Sequence, residues 1–450
     1  MSKFNKIIDK YQDKILQAER YLWANPETGY REVKTNAYMA DIFEKLGYKL
    51  DRAENITGFT ATLDTGKEGP TLLVLAELDS LKNFTHPDCD KETGAVHSCG
   101  HHAQCAAMVG VATALKEDGA LDGLSGKIKL CLVPAEEGIE VSYRKGLIEK
   151  GIISFSSGKP EFIKRGFFDD VDLAFMVHAA AARNNEKFRF GIGSNGVIRK
   201  TTRFIGLSAH AGSNPDKGIN ALNAANTALI TCNSLRETFR EEDYVRFHSI
   251  ITKGGDAVNA VPDEVVIESY VRAASVKALK EANEKVNRTF AACAAAFGAK
   301  VEISDMAGSE ALHDNKTMTE IAVSVAEKLA GKDGYEVSNK WTASSTDMGD
   351  VSALFPSIHA YACGAKNPSH SNNYFIADPV NACVDNAKFQ LGLIEELLKD
   401  GAREAKRVME NFTPQFKSIE EYLQHKYSIS KDRNAVIYND DGTVTLNYKG

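Results

Sequence analysis

The sequence predicts an α/β protein, a mainly parallel-centred sheet with flanking helices, interrupted by a smaller α+β domain. Three observations predict it. Apolar strands alternate with amphipathic helices over residues 58–179 and again over 315–409, as in a sheet covered by helices. The stretch Thr71–Leu78 (TLLVLAEL) is apolar on both faces, as a central parallel strand must be. Between the two regions, residues from about 191 to 307 read strand, helix, strand, strand, helix, strand, a small helix-on-antiparallel-sheet unit. The boundaries implied are 1–190 with 308–410 for the large domain, 191–307 for the insert and 411–450 for a C-terminal hairpin extension.

Each element has a local reason. Ile7, Ile8, Tyr11, Ile15, Ala18 and Leu22 recur at helical spacing, and Pro26 and Gly29 stop that helix. A second amphipathic helix runs from Val33 to Leu46 and ends at Gly47. Strands follow at Gly58–Asp64 and Thr71–Leu78, then a helix from His102 to Glu117 and a strand from Lys127 to Ala135. Ile139–Lys150 reads as a helix and Val171–Ala179 as a strand. In the insert the landmarks are Arg199–Gly206, Gly218–Leu235, Val245–Thr252, Val265–Ala273, Val276–Phe297 and Lys300–Ile303. The large domain resumes with a helix at Asn315–Ala330, a strand at Ser357–Cys363 and one long helix from Pro379 to Met409. Pro414 ends that helix, and Asp441-Gly442 marks a hairpin between Ala435–Tyr438 and Thr443–Tyr448.

Composition narrows the function classes. A chain of 450 residues suggests two or three domains and can bury a large core. With 54 Lys+Arg against 61 Asp+Glu, the net charge of −7 argues against nucleic acid or an anionic membrane as the main partner. No apolar run is long enough to span a bilayer, and the charged N-terminus does not read as a signal peptide. The eight cysteines include no CxxC pair, which fits reduced thiols in the cytoplasm.

Function in open α/β sheets collects at the carboxyl ends of the strands. Here those ends carry chemistry. Strand 71–78 leads to Glu77 and Asp79, and the next loop holds His97, Cys99, His101 and His102. Strand 127–135 ends in Glu136-Glu137, strand 171–177 in His178, and the loop after 357–363 holds His370. Carboxylate, imidazole and thiolate together are the ligand menu of zinc, with manganese, cobalt or nickel as substitutes. Taken singly, a strand-end His is usually a hydrogen-bonded structural residue and a Glu pair a solvated helix start. Their joint occurrence at corresponding strand ends points to a metal centre.

HSCGHH (97–102), PAEEG (134–138), His178 after an apolar strand, SAHAG (208–212) and GGDAVNAVPDE (254–264) occur in that order. With them the chain resembles the aminoacylase, hippurate hydrolase and auxin-conjugate amidohydrolase branch of the co-catalytic di-metal carboxypeptidase family. NPETGYREVKTN (25–36) is similar to that branch's N-terminal signature. STDMGDVS (345–352) and PSHSNNYF (368–375) look like the aminobenzoyl-glutamate utilisation proteins within it. The resemblance implies a phosphorylase/hydrolase-like catalytic domain and a ferredoxin-like insert that serves as lid and dimer interface. It implies two divalent ions held by Cys99, His101, Glu137, His178 and His370, with Cys99 bridging. Glu136 would be the general base and Asp79 the carboxylate that orients a ligand imidazole. His210, Asn259 and Arg272 of the insert would bind substrate, with His210 also stabilising the oxyanion. His102 stands where relatives usually carry Asp or Asn, and is either an extra ligand or a structural neighbour. Glu77 is expected beside the ligands rather than among them. Asp347 and Asp350 are either a capped turn or functional.

The function expected is amide hydrolysis. A bound metal lowers the pKa of its water to about 7 and polarises the carbonyl. The substrate would be an N-acyl amino acid, an aroyl-glutamate-like conjugate or a dipeptide, and the protein a homodimer. One alternative is a metal-binding or regulatory subunit with little activity of its own. A third reading makes Cys99 the nucleophile of a thiol hydrolase, which would survive chelation where a metalloenzyme would not.

Overall fold

A computed structural model describes residues 2–449. The chain divides into two units, the first made of Met1–Gly193, His313–Trp341 and Asp350–Ile419, and the second of Ser194–Leu312, Thr342–Gly349 and Glu420–Gly450.

The first unit is built on a mixed sheet. Its strands run in the order Asp51–Arg52, Phe59–Asp64, Lys127–Val133, Thr71–Glu77, Leu173–Ala181, Ser357–Lys366, Phe188–Phe190, Tyr335–Val337. The four strands from Lys127–Val133 to Ser357–Lys366 are mutually parallel. Phe59–Asp64 joins them antiparallel at one side. Every residue of Thr71–Glu77 is buried, as its two-sided apolar pattern requires. The helix His101–Ala114 is buried all round, packed against Gln12–Trp23, Asn386–Glu410 and the central strands.

Two helices differ from expectation. The N-terminal helix is broken at Tyr11 into Asn5–Lys10 and Gln12–Trp23. The run expected from Pro379 to Met409 opens with a wide π-type turn at Val380–Asp385. The helix after it, Asn386–Glu410, is then interrupted at Lys399–Ala402. Asp400, Gly401 and Ala402 there take positive φ, which ends one helix and starts another.

The second unit is an antiparallel sheet in the order Arg246–Lys253, Glu264–Ala273, Gly196–Ile205, Lys300–Ala307, Lys431–Asn434. Glu264–Ala273 alternates buried and half-buried residues, so one face carries the core. Ala221–Ser234 and Val276–Ala296 cover that face, each started by an Asn or Ser side chain accepting a backbone N–H.

The tail holds more than a hairpin. Ile419–Ile429 is a helix, Lys431–Asn434 is the fifth strand of the second unit's sheet, and Val436–Tyr438 pairs with Val444–Leu446 around the Asp441-Gly442 turn. Among the described residues no helix is long and apolar enough to cross a membrane.

Candidate metal centre

The four parallel strands bring the first unit's candidate residues to one place. Cys99, His101 and His178 form one set, and Cys99, Glu137 and His370 a second, with the ligand atoms of each set within 4.8 Å of one another. Glu77, His101 and Glu136 form a third such set. Cys99 is common to the first two.

Backbone geometry makes this possible. Gly100 has φ +106 and opens the helix His101–Ala114, so Cys99 and His101 fall on either side of a sharp turn. A Cβ on Gly100 would sit 2.5 Å from the Tyr374 hydroxyl, which itself donates to the Cys99 carbonyl at 3.3 Å. His370 also takes a left-handed conformation, φ +69, with its N–H on the Ser98 carbonyl at 2.8 Å. Ala135 has φ +57 and precedes the Glu136-Glu137 pair.

The imidazoles are aimed by their second nitrogens. His178 Nδ1 lies 2.6 Å from the Ala179 carbonyl and so carries the proton, leaving Nε2 facing Cys99 Sγ at 3.4 Å. His101 Nδ1 lies 2.8 Å from the Asp79 carbonyl and 3.3 Å from its carboxylate, leaving Nε2 for the centre. Asp79 Oδ2 also accepts the Glu137 N–H at 2.9 Å, so one aspartate orients two candidate ligands.

The charge balance is that of a hole built for a cation. Burial lowers the basicity of His101 and His178, but the Cys99 thiolate and Glu77 outweigh it and hold both above the ordinary range. Close polar contact with the Cys99 sulfur and the Glu137 carboxylate raises His370 to about 11. Burial and the Glu137 carboxylate push the Cys99 thiol up, yet His101 and His178 prevail and bring it down to about 6, a thiolate at neutral pH. Burial also opposes ionisation of Glu137, and the His370 contact overrides it, to about 2.

A metal fits these residues. His101 Nε2 and Glu137 Oε1 are buried without a hydrogen bond, although Glu77 Oε2 and His370 Nε2 lie 3.2 and 3.1 Å away. Such atoms face one another as ligands around a common point do, not as donor and acceptor. Buried polar atoms left this way are costly unless a partner fills the gap.

Other candidates take other places. His102 turns away from the centre: its Nε2 is 3.4 Å from Glu19 Oε1 and its ring packs on Trp23 at 5.0 Å. His97 is buried against His102, ring to ring at 5.2 Å. Asp347 and Asp350 are buried outside all three donor sets, with Asp350 in the short helix Met348–Ser352. His210, Asn259 and Arg272 lie in the second unit. His210 Nδ1 accepts the N–H groups of Gly212 and Ser213 at 3.2 and 3.1 Å, so the neutral ring carries its proton on Nε2. Arg272 donates to Ser345 Oγ at 2.9 Å.

Three residues at the centre were not legible in the sequence. Lys159, on the helix Gly158–Lys164, is fully buried against Glu77. Glu32 and Arg144 close on Ala135 from two sides. No motif marks Lys159 or Arg144. Glu32 lies within NPETGYRE, the signal that could have found it.

The model for peptidase family M20/M25/M40 matches residues 73–396. The human Xaa-Arg dipeptidase is 28% identical over 397 residues, covering 82% of this chain and 80% of its own. One of the p-aminobenzoyl-glutamate hydrolase chains of Escherichia coli is 24% identical over 383 residues, 74% of this chain and 83% of its own. Among solved structures, a dinuclear metal-binding peptidase of the M20 family from Bacillus subtilis superposes with a TM-score of 0.63 at 18% identity, covering 87% of this chain and 99% of its own. With the family model spanning well over half of its length, the chain belongs to peptidase family M20/M25/M40.

Proposed function

We propose that the protein is a metal-dependent hydrolase of linear amide bonds, acting on an N-acyl amino acid, an aroyl-glutamate-like conjugate or a dipeptide. The observation that carries this is the Cys99 thiol shared by two donor sets, with Glu136 beside them in the third. The relatives' names give the substrate range: one is a dipeptidase and another is part of a p-aminobenzoyl-glutamate hydrolase.

In this reading Cys99, His101 and His178 hold one ion and Cys99, Glu137 and His370 the other, zinc or manganese first, cobalt or nickel as substitutes. Once bound, the ions acidify water and polarise the scissile carbonyl. Asp79 holds His101 and the Glu137 backbone in place. Glu136, half-buried while Glu137 is closed off, takes the proton of the attacking water and returns it to the leaving amine. His210 donates from Nε2 to the oxyanion, the role its accepting Nδ1 leaves open. Arg272 and Asn259 bind the substrate's polar end.

The second unit is read as lid and homodimer contact. Its open edge strand, Arg246–Lys253, leaves Ile250 62% and Ile251 42% exposed. A cytoplasmic location is supported by eight cysteines that are all free and buried.

The test is a screen of the metal-loaded protein against N-acyl amino acids, p-aminobenzoyl-glutamate and dipeptides, with released amino acids identified by mass spectrometry. Glu136→Gln is expected to lower kcat by about 10²–10⁴-fold at unchanged metal content. Normal turnover by that variant would remove Glu136 from the base role.

A further inference from the structure

The N-terminal segment NPETGYRE and the helix Val141–Glu149 lie outside the donor sets, yet both send a buried ionisable side chain to the same residue, Ala135, one to the peptide before it and one to the peptide after it. Glu32 Oε1 accepts the Ala135 N–H at 2.8 Å, and its Oε2 accepts the Thr57 hydroxyl at 2.5 Å. Arg144 Nη1 lies 3.5 Å from the Ala135 carbonyl and donates to the Ser156 carbonyl at 2.6 Å. Glu32 is 0% and Arg144 1% exposed, and neither forms an ion pair among the described residues. Burial and the neighbouring Asp79 carboxylate push the Glu32 carboxyl up to about 8. A carboxyl and a guanidinium buried without an opposite charge are expensive for a fold. Their contacts converge on Ala135, the residue before Glu136.

Ala135 is where help is needed. Its φ of +57 is a conformation that an L-residue with a Cβ resists. Without its tethers, the backbone would relax to negative φ and swing the following peptide, moving the Glu136 carboxylate. Glu137 is pinned on its own side, by its N–H on Asp79 Oδ2. Glu136 therefore sits between two anchors, one supplied by the metal centre and one by Glu32 with Arg144.

The segment is built to deliver Glu32. Gly29 lies directly on Ala135, where a Cβ would meet Ala135 Cα at 2.8 Å and Arg144 Nη2 at 2.4 Å. The Glu27 carboxylate accepts the N–H groups of Lys34 and Thr35, and its carbonyl accepts the Ser80 N–H at 2.7 Å, beside Asp79. The same few residues thus touch the Asp79 loop and the Glu136 loop.

We propose that Glu32, assisted by Arg144, is a positioning residue that holds Ala135 left-handed and so aims Glu136 at the reacting water. This rests on the reading of Glu136 as base. The test uses the metal-loaded full chain and whichever of p-aminobenzoyl-L-glutamate or a set of N-acetyl amino acids it turns over fastest. It compares Glu32→Ala, Glu32→Gln, Ala135→Gly, the double variant Glu32→Ala/Ala135→Gly, and Glu136→Gln as reference. Glu32→Ala is expected to lower kcat at least about thirtyfold, with KM and bound metal within about twofold. Glu32→Gln, whose amide oxygen can still accept the Ala135 N–H, should stay within about threefold. Glycine takes positive φ unaided, so the double variant should regain at least about fivefold over Glu32→Ala, a recovery that a merely structural role would not give. If Glu32→Ala does not fold, Glu32→Asp, with the carboxylate drawn back by one methylene, takes its place with the same expected loss and recovery. A kcat within twofold of the parent in Glu32→Ala, or no recovery in the double variant, overturns the proposal while an inactive Glu136→Gln leaves the base reading standing. An active Glu136→Gln overturns that reading, and the proposal with it.

Discussion

Lys159 Nζ lies 2.5 Å from Glu77 Oε1, and both side chains are closed to solvent. The other oxygen of Glu77 accepts Gln104 Nε2 at 2.9 Å and stands 3.2 Å from His101 Nε2. Burial opposes the Glu77 charge, but Lys159, His101 and His178 overcome it and hold the carboxyl well below the usual range. The ammonium thus neutralises a carboxylate that touches a candidate ligand. Lys159→Met should therefore destabilise the protein by about 3–5 kcal/mol, the usual effect of stranding one member of a buried pair. Adding Glu77→Gln should recover most of that loss, as read by denaturant unfolding of the metal-free protein.

Metal removal separates the leading function from a thiol hydrolase. Chelation should abolish turnover, and zinc or manganese should restore it. A chelated, metal-free protein with full activity would favour Cys99 as nucleophile. Cys99→Ala should lose at least one equivalent of metal by elemental analysis, because both donor sets use that sulfur.

In the second unit, Asp305 is enclosed by Lys200, Arg433, Asn283 and Asn287. Burial pushes its carboxyl up, but the cations and amides prevail and hold it below the ordinary value. A carboxyl depressed in the folded state stabilises fully above the unfolded pKa, about 3.9, and that stabilisation fades as pH falls through the lower folded value. Asp305→Asn should destabilise by about 3–5 kcal/mol near neutral pH and flatten the acid limb of the stability–pH curve. Urea titrations at several pH values would read both effects.

Lys431–Asn434 covers the edge of Lys300–Ala307. Removing the segment after Ile429 should leave a row of unpaired backbone groups on that edge. Light scattering should then show concentration-dependent association that the full chain lacks.

Part of the centre was legible because Glu136-Glu137 and His178 stand at or near the ends of apolar strands, where a solvent-shielded sheet leaves polar residues little reason to be. Cys99, His101 and His370 stand in the loops that follow such strands, and the choice of these three with Glu137 and His178 as ligands came from the family resemblance. His102 could not be placed, since its partner Glu19 lies on another helix and adjacency in sequence favours neither role. Lys159 and Glu32 are explained by contacts 82 and 103 residues away in sequence, and Arg144 by backbone carbonyls 9 and 12 residues away that no motif marks. The helix break at Asp400-Gly401 was missed because the apolar spacing continues on both sides of it.

Ser357–Lys366 lies in the interior of the first sheet, between Leu173–Ala181 and Phe188–Phe190. That sheet lacks an inner strand until about 360 residues have left the ribosome, and the second unit waits longer still for Lys431–Asn434. At roughly 5–20 residues per second, Leu173–Ala181 stays without its neighbour for on the order of ten to forty seconds. During that interval an apolar strand edge that the finished protein never shows is open to other chains. The exposure is a cost of threading one unit through the sequence of the other, and it falls on the nascent chain alone.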